Sequence, residues 1–343
     1  MRRSCSILAV LAVSPVLPAA AQLQNADSQL VDSVQQRQQL EQSAQPMAVT
    51  NVPELYDGES DDVGPQSVLQ MKPVRTYFEA HGDVQYFHTD NMFLANSGKQ
   101  GADVLVGTVE AALAPTPYEF AGGQLAPRLG FQEQWFNYGL ASSGTVNVYN
   151  PYNVSAPNST AHLDQFDFNA MTVYTDAAWR RDNWTLSLGA DYRRLLDSGS
   201  YDEFYKEWVP RWGISRDFLL SDTKMISLGY EGDYRLTDTP NSFTAVGRNF
   251  NDRADNGLSI VGSWRVCQHV ILQPYYVFNF THYTTIHRND LLHTFGLALY
   301  VPINDQISLR AFATYDNLKT DGYFVQSYQK LDLGGGLNFV FRF

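Results

Sequence analysis

The sequence predicts an all-β protein: a transmembrane antiparallel up-and-down β-barrel of about 12 strands with a short N-terminal periplasmic extension. Three observations predict it: apolar and polar residues alternate with a period of two, long loops alternate with tight turns, and the last strand ends on an aromatic residue. The composition agrees, since 20 Tyr, 20 Phe and 24 Gly accompany only 17% charged residues, as in strand-rich proteins. The formal net charge of -12 argues against a nucleic-acid partner, which requires a basic surface.

Residues 1–21 have the pattern of an export signal. Two arginines precede an apolar run, and Ala19-Ala20-Ala21 supplies the small residues of a cleavage site. The mature chain is therefore expected to begin at Gln22. Cys267 is then its only thiol, so no internal disulfide is expected.

Residues 22–73 differ in composition from everything that follows. The segment is rich in Gln and Pro, has a weak helical pattern around Leu30, Val34 and Leu40, and carries the acidic run 57–62. The acidic run matches no calcium-loop spacing, which favours a solvated linker over a cation site. We interpret the whole segment as a periplasmic tether, partly disordered or helical.

From residue 74 to the end, the period-two pattern predicts the barrel domain, 74–343. The candidate strands are 74–89, 103–114, 125–137, 165–180, 183–194, 206–219, 222–236, 253–267, 269–283, 290–301, 304–316 and 328–343. Connections after the odd strands are mostly long, such as 138–164 and 237–252, and those after the even strands are mostly tight, such as 180–183 and 301–304. Outer-membrane barrels have this layout, and an even strand count places both chain ends on the periplasmic side.

Each strand has two unlike faces, which a soluble β-sandwich would also show. The eighth predicted strand sets Leu258, Ile260, Trp264 and Val266 against Ser259, Ser263 and Arg265. Three features favour the membrane barrel over the sandwich: strands of ten or more residues, aromatic residues near strand ends, and the terminal Phe.

The C-terminal strand alternates apolar residues with small or polar ones and stops at an aromatic residue. Its outer face ends in Leu337, Phe339, Phe341 and Phe343. This pattern resembles the assembly signal of Gram-negative outer-membrane proteins, which the barrel-assembly machinery reads. The stretches PELYDGESDDVGPQ, YFHTDNMFLA, ILQPYYVFNFTHY and HRNDLLHTFGLALY, together with this strand, resemble the outer-membrane β-barrel porin family of Gram-negative bacteria. The resemblance implies a barrel in the outer membrane, in contact with its lipid, and implies no catalytic residue or substrate.

The sequence contains no strong catalytic or metal-binding pattern, so we predict no enzyme, no cofactor and no metal site. The outer-membrane phospholipase, also a twelve-stranded barrel, uses a His-x-Ser pair with a nearby Asn, and the closest approach here is His282-Tyr283-Thr284. The spacing of His287, His293, Asp290 and Asp316 fixes no ligand set. The run 334–336 is a glycine triplet with no following helix, and it favours close packing or curvature in a strand.

The inward faces carry interleaved charges of both signs. The lumen-lining candidates are Arg75, Glu79, Asp83, Arg128, Asp176, Arg180, Asp191, Arg193, Arg211, Asp217, Glu231, Asp233, Arg235, Arg265, Arg310, Asp332 and Arg342. Two interpretations stay open: a hydrated channel, or a salt-bridge network that fills the interior. Because twelve strands lie between filled and open barrels, we favour a porin-like channel for passive diffusion of small hydrophilic solutes. The alternatives are a structural or surface-interaction barrel with a closed lumen and a polysaccharide export pore.

Overall fold

The computed structural model describes residues 17–44, 77–141, 144–148, 159–239, 247–267, 269–322 and 325–343. Helix α1 spans Leu17–Ala44. The strands are β1 (Phe78–Thr89), β2 (Ala102–Leu113), β3 (Tyr118–Phe120), β4 (Gly123–Asn137), β5 (Thr145–Val148), β6 (Ser159–His162), β7 (Phe168–Arg181), β8 (Trp184–Asp197), β9 (Glu203–Ser221), β10 (Lys224–Asp238), β11 (Arg253–Cys267), β12 (Val270–Tyr283), β13 (Asn289–Pro302), β14 (Ile307–Thr320) and β15 (Tyr328–Arg342).

The long strands form a closed antiparallel barrel, which confirms the predicted fold class. Successive strands pair in sequence order from β7 to β15, β15 pairs with β1, and β2 pairs with both β1 and β4, which pairs with β7. The twelve predicted strands correspond to β1, β2, β4 and β7 to β15. The prediction missed the short β3, which extends the β4 edge, and the separate β5–β6 hairpin, because three- and four-residue strands are too short to show a period.

The two ends of the barrel differ as predicted. At one end two-residue turns join β7 to β8 and β9 to β10. Asp182 in the first of these turns has φ 53°, a left-handed conformation that Asp tolerates better than most residues. The other end carries the connection 138–167, which includes β5, β6 and a 3₁₀ helix at Leu163–Phe166. We call these the short-turn end and the long-loop end.

The outer surface of the barrel is apolar around its circumference. Large exposed side chains include Val84, Val109, Leu129, Val173, Leu188, Ile214, Leu228, Leu258, Phe295, Leu309 and Leu333. A soluble protein rarely exposes a contiguous apolar surface of this extent, whereas a barrel in lipid requires one. Among the described residues, the helix is not apolar enough over the necessary length to cross a membrane.

The β1–β15 seam closes the barrel around glycines. A Cβ on Gly334 would lie 2.3 Å from Cβ of Phe87, and a Cβ on Gly336 would lie 2.7 Å from the carbonyl oxygen of Val84. The triplet therefore allows the first and last strands to approach closely. The backbone of Phe343 completes the seam, since its N–H donates to Phe78 O at 2.9 Å.

Helix α1 lies inside the barrel. Its side chains hydrogen-bond to residues of β1, β2, β4, β8, β10, β12, β14 and β15, which together surround it. Val31 and Val34 are fully buried and belong to an apolar cluster with Phe87 and Phe136. The inward face is therefore not uniformly polar, because part of the wall packs against the helix.

The direction of α1 follows from its contacts at each end. Ala26 packs with Leu94 and Tyr328, which lie at the long-loop end. Gln273, near the start of β12, donates to Ser43 Oγ at 3.2 Å, close to the short-turn end. The helix thus begins at the long-loop end and runs toward the short-turn end.

This arrangement corrects the prediction of a periplasmic tether over 22–73 with both chain ends on one side. Residues 26–43 are part of a helix within the lumen, and the start of that helix lies at the opposite end of the barrel from Phe343. Residues 45–73, including the acidic run, lie outside the described residues. Cleavage ahead of Gln22 stays a prediction, and it would retain the helix from Gln22 to Ala44.

Candidate functional site: the lumen and its helix

Asp32 of α1 is held by two arginines of the barrel wall. Arg193 Nη1 on β8 donates to its Oδ1 at 2.9 Å, and Arg235 Nη1 on β10 donates to its Oδ2 at 2.9 Å. Arg193 Nη2 also donates to Gln35 Oε1 at 2.7 Å. Glu207 on β9, whose side chain is 0% exposed, accepts from Arg193 Nη1 at 2.8 Å. Asp32, Arg193, Glu207 and Arg235 form what we call the Asp32 cluster.

Three further charges of β10 and β11 border the Asp32 cluster. Arg235 Nε lies 3.1 Å from Asp233 Oδ1 and 3.0 Å from Asp255 Oδ2. Arg253 Nε lies 3.1 Å from the same Asp255 oxygen. Because every charge has an opposite neighbour and most of the side chains are buried, the group is a network of paired charges rather than a row of hydrated ones.

Arg37, five residues after Asp32 along α1, lies between two aromatic rings. Its guanidinium carbon is 4.7 Å from the ring centroid of Phe87 and 4.5 Å from that of Phe312. Arg37 Nη1 is 3.6 Å from Asp332 Oδ2, which also lies 3.1 Å from Lys330 Nζ. A charge can be buried here because rings cover its faces and a carboxylate faces its edge.

Glu41 and Gln38 attach the last turns of α1 to the wall. Glu41 accepts hydrogen bonds from Ser308 Oγ and Arg310 Nη1. Gln38 Nε2 donates to Asp83 Oδ1 at 3.2 Å and to Thr108 Oγ1 at 3.1 Å. The helix is polar on most of its circumference, and such a helix is stable inside a protein only where its polar groups find partners.

The structure places the predicted lumen-lining residues on the inward faces of their strands, except Arg75, which lies outside the described residues: Glu79, Asp83, Arg128, Asp176, Arg180, Asp191, Arg193, Arg211, Asp217, Glu231, Asp233, Arg235, Arg265, Arg310, Asp332 and Arg342. They divide into two groups by exposure. Asp83, Arg193, Arg310 and Asp332 are buried against α1.

The others are more exposed, and several of them lie along β7 to β10 toward the short-turn end, where the lumen is open to water. Arg180 and Glu231 are exposed although they face inward. Arg211 Nε lies 3.1 Å from Asp191 Oδ2, and its Nη2 lies 3.6 Å from Asp176 Oδ2. The lumen is therefore wet at this mouth and filled by α1 at the level of Asp32 and Arg37.

Several inward charges were missed by the sequence analysis. They include Glu110, Glu207, Arg253, Asp255, Asp290, Asp316 and Lys330. Their position in the period-two pattern could have identified them, since Arg253 and Asp255 share the parity of Arg265, which was predicted.

The residues considered for catalysis or metal binding have separate contacts. His282 Nδ1 is 2.8 Å from Asn289 Oδ1, while the Thr284 hydroxyl donates to the carbonyl oxygen of Asp252 at 3.3 Å. His293 Nδ1 is 2.9 Å from Tyr276 Oη on the outer face, whereas Asp290 pairs with Arg288 inside. The described residues contain no group of three or more His, Cys, Asp or Glu that could hold a metal ion.

A closed antiparallel barrel with an apolar outer surface and a charged interior defines the class: this is a transmembrane β-barrel of the outer-membrane type. Bacterial barrels of this construction lie in the outer membrane, which confirms the location and the fold expected from the porin resemblance.

Comparison with solved structures finds barrels of the same class. An outer-membrane channel from Pseudomonas putida F1 is 12% identical, with a TM-score of 0.49 over 81% of this chain and 99% of that chain. The β domain of the Bordetella autotransporter BrkA is 14% identical, with a TM-score of 0.42 over 78% and 100%. The NanC porin is 9% identical, with a TM-score of 0.42 over 75% and 98%. No family model and no curated protein matches the sequence. The assignment of the class rests on the chain's own strand pairing and outer surface.

Proposed function

We propose that the protein is an outer-membrane channel for small hydrophilic solutes that is closed while α1 occupies the lumen. The observation that carries the proposal is the contrast inside one barrel between exposed inward charges near the short-turn end, such as Arg180 and Glu231, and the helix filling the lumen beyond them. Passage then requires α1 to move.

The contacts of α1 support a movable element because most of them are polar. Polar and ionic contacts contribute little net stability when water can replace them, whereas the strand ladders of the wall are continuous around the barrel. A closed structural barrel is the alternative, favoured by the buried charges around Asp32, and the experiment below separates the two.

The test is conductance in planar bilayers with α1 locked or free. Gln38 and Thr108 lie in contact, so both are replaced by Cys in a Cys267→Ser background, because Cys267 is exposed. A short bis-methanethiosulfonate reagent links the two thiols and a reductant releases them. We expect no conductance steps in the linked protein and openings after reduction.

The matched control is Gln38→Cys alone, treated identically, which cannot be linked to the wall and should conduct throughout. Steps of equal size in the linked protein would show that passage does not need α1 to move. Absence of conductance in linked, reduced and control proteins would establish the closed structural barrel.

A further inference from the structure

Asp32 contacts the barrel wall through the kind of hydrogen bonds that a protein forms with a bound carboxylate ligand. We propose that Arg193 and Arg235 form a carboxylate-binding subsite of the lumen, occupied in this structure by Asp32 as a tethered ligand, and that small carboxylates are the class of solute it takes. The proposal rests on the proposed function, since a solute reaches this level of the lumen only when α1 has left it.

The first support is the geometry of the carboxylate. Arg193 Nη1 donates to Oδ1 at 2.9 Å, while Arg235 Nη1 donates to Oδ1 at 3.2 Å and to Oδ2 at 2.9 Å. Both oxygens of Asp32 are therefore engaged, by guanidinium groups from two different strands. Guanidinium groups match carboxylates in charge and shape better than any other side chain does.

The second support is that the wall itself orients both arginines. Glu207 Oε1 accepts from Arg193 Nη1 at 2.8 Å, and its Oε2 accepts from Tyr205 Oη at 2.8 Å. Asp233 and Asp255 hold Arg235 through its Nε atom. These partners belong to β9, β10 and β11, so they stay in place when α1 leaves. A site whose donors are preorganised in this way binds a ligand without first ordering its own side chains.

The third support is what α1 removes when it leaves. Arg193 loses both Asp32 and Gln35, and Arg235 Nη1 keeps only a 3.5 Å contact with Glu207. The N–H groups that α1 vacates face the lumen, where a carboxylate can replace Asp32 through charge-assisted hydrogen bonds that are stronger than those to a neutral acceptor. Glu41 provides a contrast within the same helix, because it pairs with one arginine, Arg310, and not with two.

The test is rescue of an Asp32→Ala variant by formate. The truncation leaves space between the two arginines and should lower the melting temperature of the purified barrel in detergent. Sodium formate, titrated against sodium chloride at constant ionic strength, should restore most of that loss. A three-atom ligand binds no tighter than on the order of 1 mM, so the titration extends to about 300 mM.

Two matched variants make the rescue specific. Asp32→Asn removes the charge but fills the space, so formate should not raise its melting temperature more than chloride does. Glu41→Ala vacates one arginine and not a pair, so it should respond no more than Asp32→Asn. Equal rescue of Glu41→Ala and Asp32→Ala would overturn the subsite, as would the absence of a formate effect on Asp32→Ala. If Asp32→Ala is recovered only unfolded, the folding yield in formate against chloride is measured instead, with a rise expected and no rise overturning the proposal.

The outcome is separable from that of the bilayer experiment, because melting and folding need no conduction. Formate rescue in a barrel that never conducts would keep the arginine site and overturn the channel. Conductance without rescue would keep the channel and overturn the carboxylate site.

Discussion

Replacing Arg37 with Ala should raise the fraction of molecules in which α1 has left the lumen, while the strand pairing of the barrel stays intact. Arg37 is buried between Phe87 and Phe312, and its Nη1 lies 3.6 Å from Asp332. These partners belong to the wall, as does Gln85, to which Arg37 Nε donates at 3.3 Å, so every interaction lost is one that holds the helix in the lumen. The hydrogen bonds between strands do not involve this side chain.

The magnitude follows from these distances. At an effective dielectric constant of about 20, unit charges 3.6 Å apart attract by roughly 4–5 kcal/mol, and each desolvated ring adds up to about 2 kcal/mol. Desolvation of the guanidinium offsets much of this sum, and Lys330 keeps Asp332 paired after the substitution. Loss of one member of a buried pair typically costs 3–5 kcal/mol when the other member is left unpaired, so the lower end of that range applies here. We therefore expect about 3 kcal/mol, which raises the population of the released helix about 100-fold.

The assay is the labelling rate of a thiol that α1 covers. Thr108 is buried and accepts a hydrogen bond from Gln38, so Thr108→Cys in a Cys267→Ser background reacts with a maleimide only when the helix is out. Arg37→Ala should speed this reaction about 100-fold, with the barrel still heat-modifiable on a gel. Arg342→Ala is the control, because Arg342 lies exposed at the short-turn end, and it should leave the rate unchanged. An unchanged rate in Arg37→Ala would refute the assigned role of Arg37.

Three further outcomes are expected. Deleting Phe343 removes the terminal oxygen that accepts from the backbone N–H groups of Tyr77 and Phe78 and should slow assembly of the heat-modifiable form, and a normal assembly rate would show the residue to be incidental. Gly296→Val places a Cβ where the ring of Tyr275 now lies, 1.9 Å from its Cζ, and should cost about 1–3 kcal/mol, seen as a lower melting temperature, with an unchanged one contradicting the packing. Hydrogen bonds from the side chain and backbone of Asn289 lower the pKa of Asp321 in the loop before β15. The contact therefore stabilises the folded loop fully above the unfolded pKa of Asp321, about 3.9. This stabilisation is lost as the pH falls through the lower pKa of the folded state. Proteolysis of the loop should rise over that acidic range in the native protein, and Asp321→Asn should abolish the pH dependence; the same dependence in both would refute it.

The barrel could be predicted because its signal is local. Each long strand carries its own alternation, so Leu258 and Arg265 fall on opposite faces whatever the rest of the chain does. The glycine triplet at 334–336 was likewise readable as a place of close packing, and the structure gives its partner as β1. The inward orientation of Arg193 and Arg235 was predictable from the same alternation of faces along each strand.

The helix could not be placed from the sequence because its partners are polar and distant along the chain. Leu30 and Val34 give only a weak helical pattern, which a tether also allows. The partners of its polar side chains lie far along the sequence: Arg193 is 161 positions from Asp32, and Arg310 is 269 positions from Glu41. Complementarity of this kind exists only once the barrel has closed, so no local pattern records it.

Because α1 lies inside the barrel, the chain crosses the barrel an odd number of times. The barrel strands, being even in number, return the chain to the compartment from which β1 started, and α1 adds one more traverse in the opposite sense. At 1.5 Å per residue the 23 residues from Gln22 to Ala44 span about 35 Å, longer than the roughly 25 Å apolar band of such barrels. The start of the retained helix, near Ala26, and the carboxyl terminus at Phe343 therefore lie at opposite ends of the barrel and face different aqueous compartments.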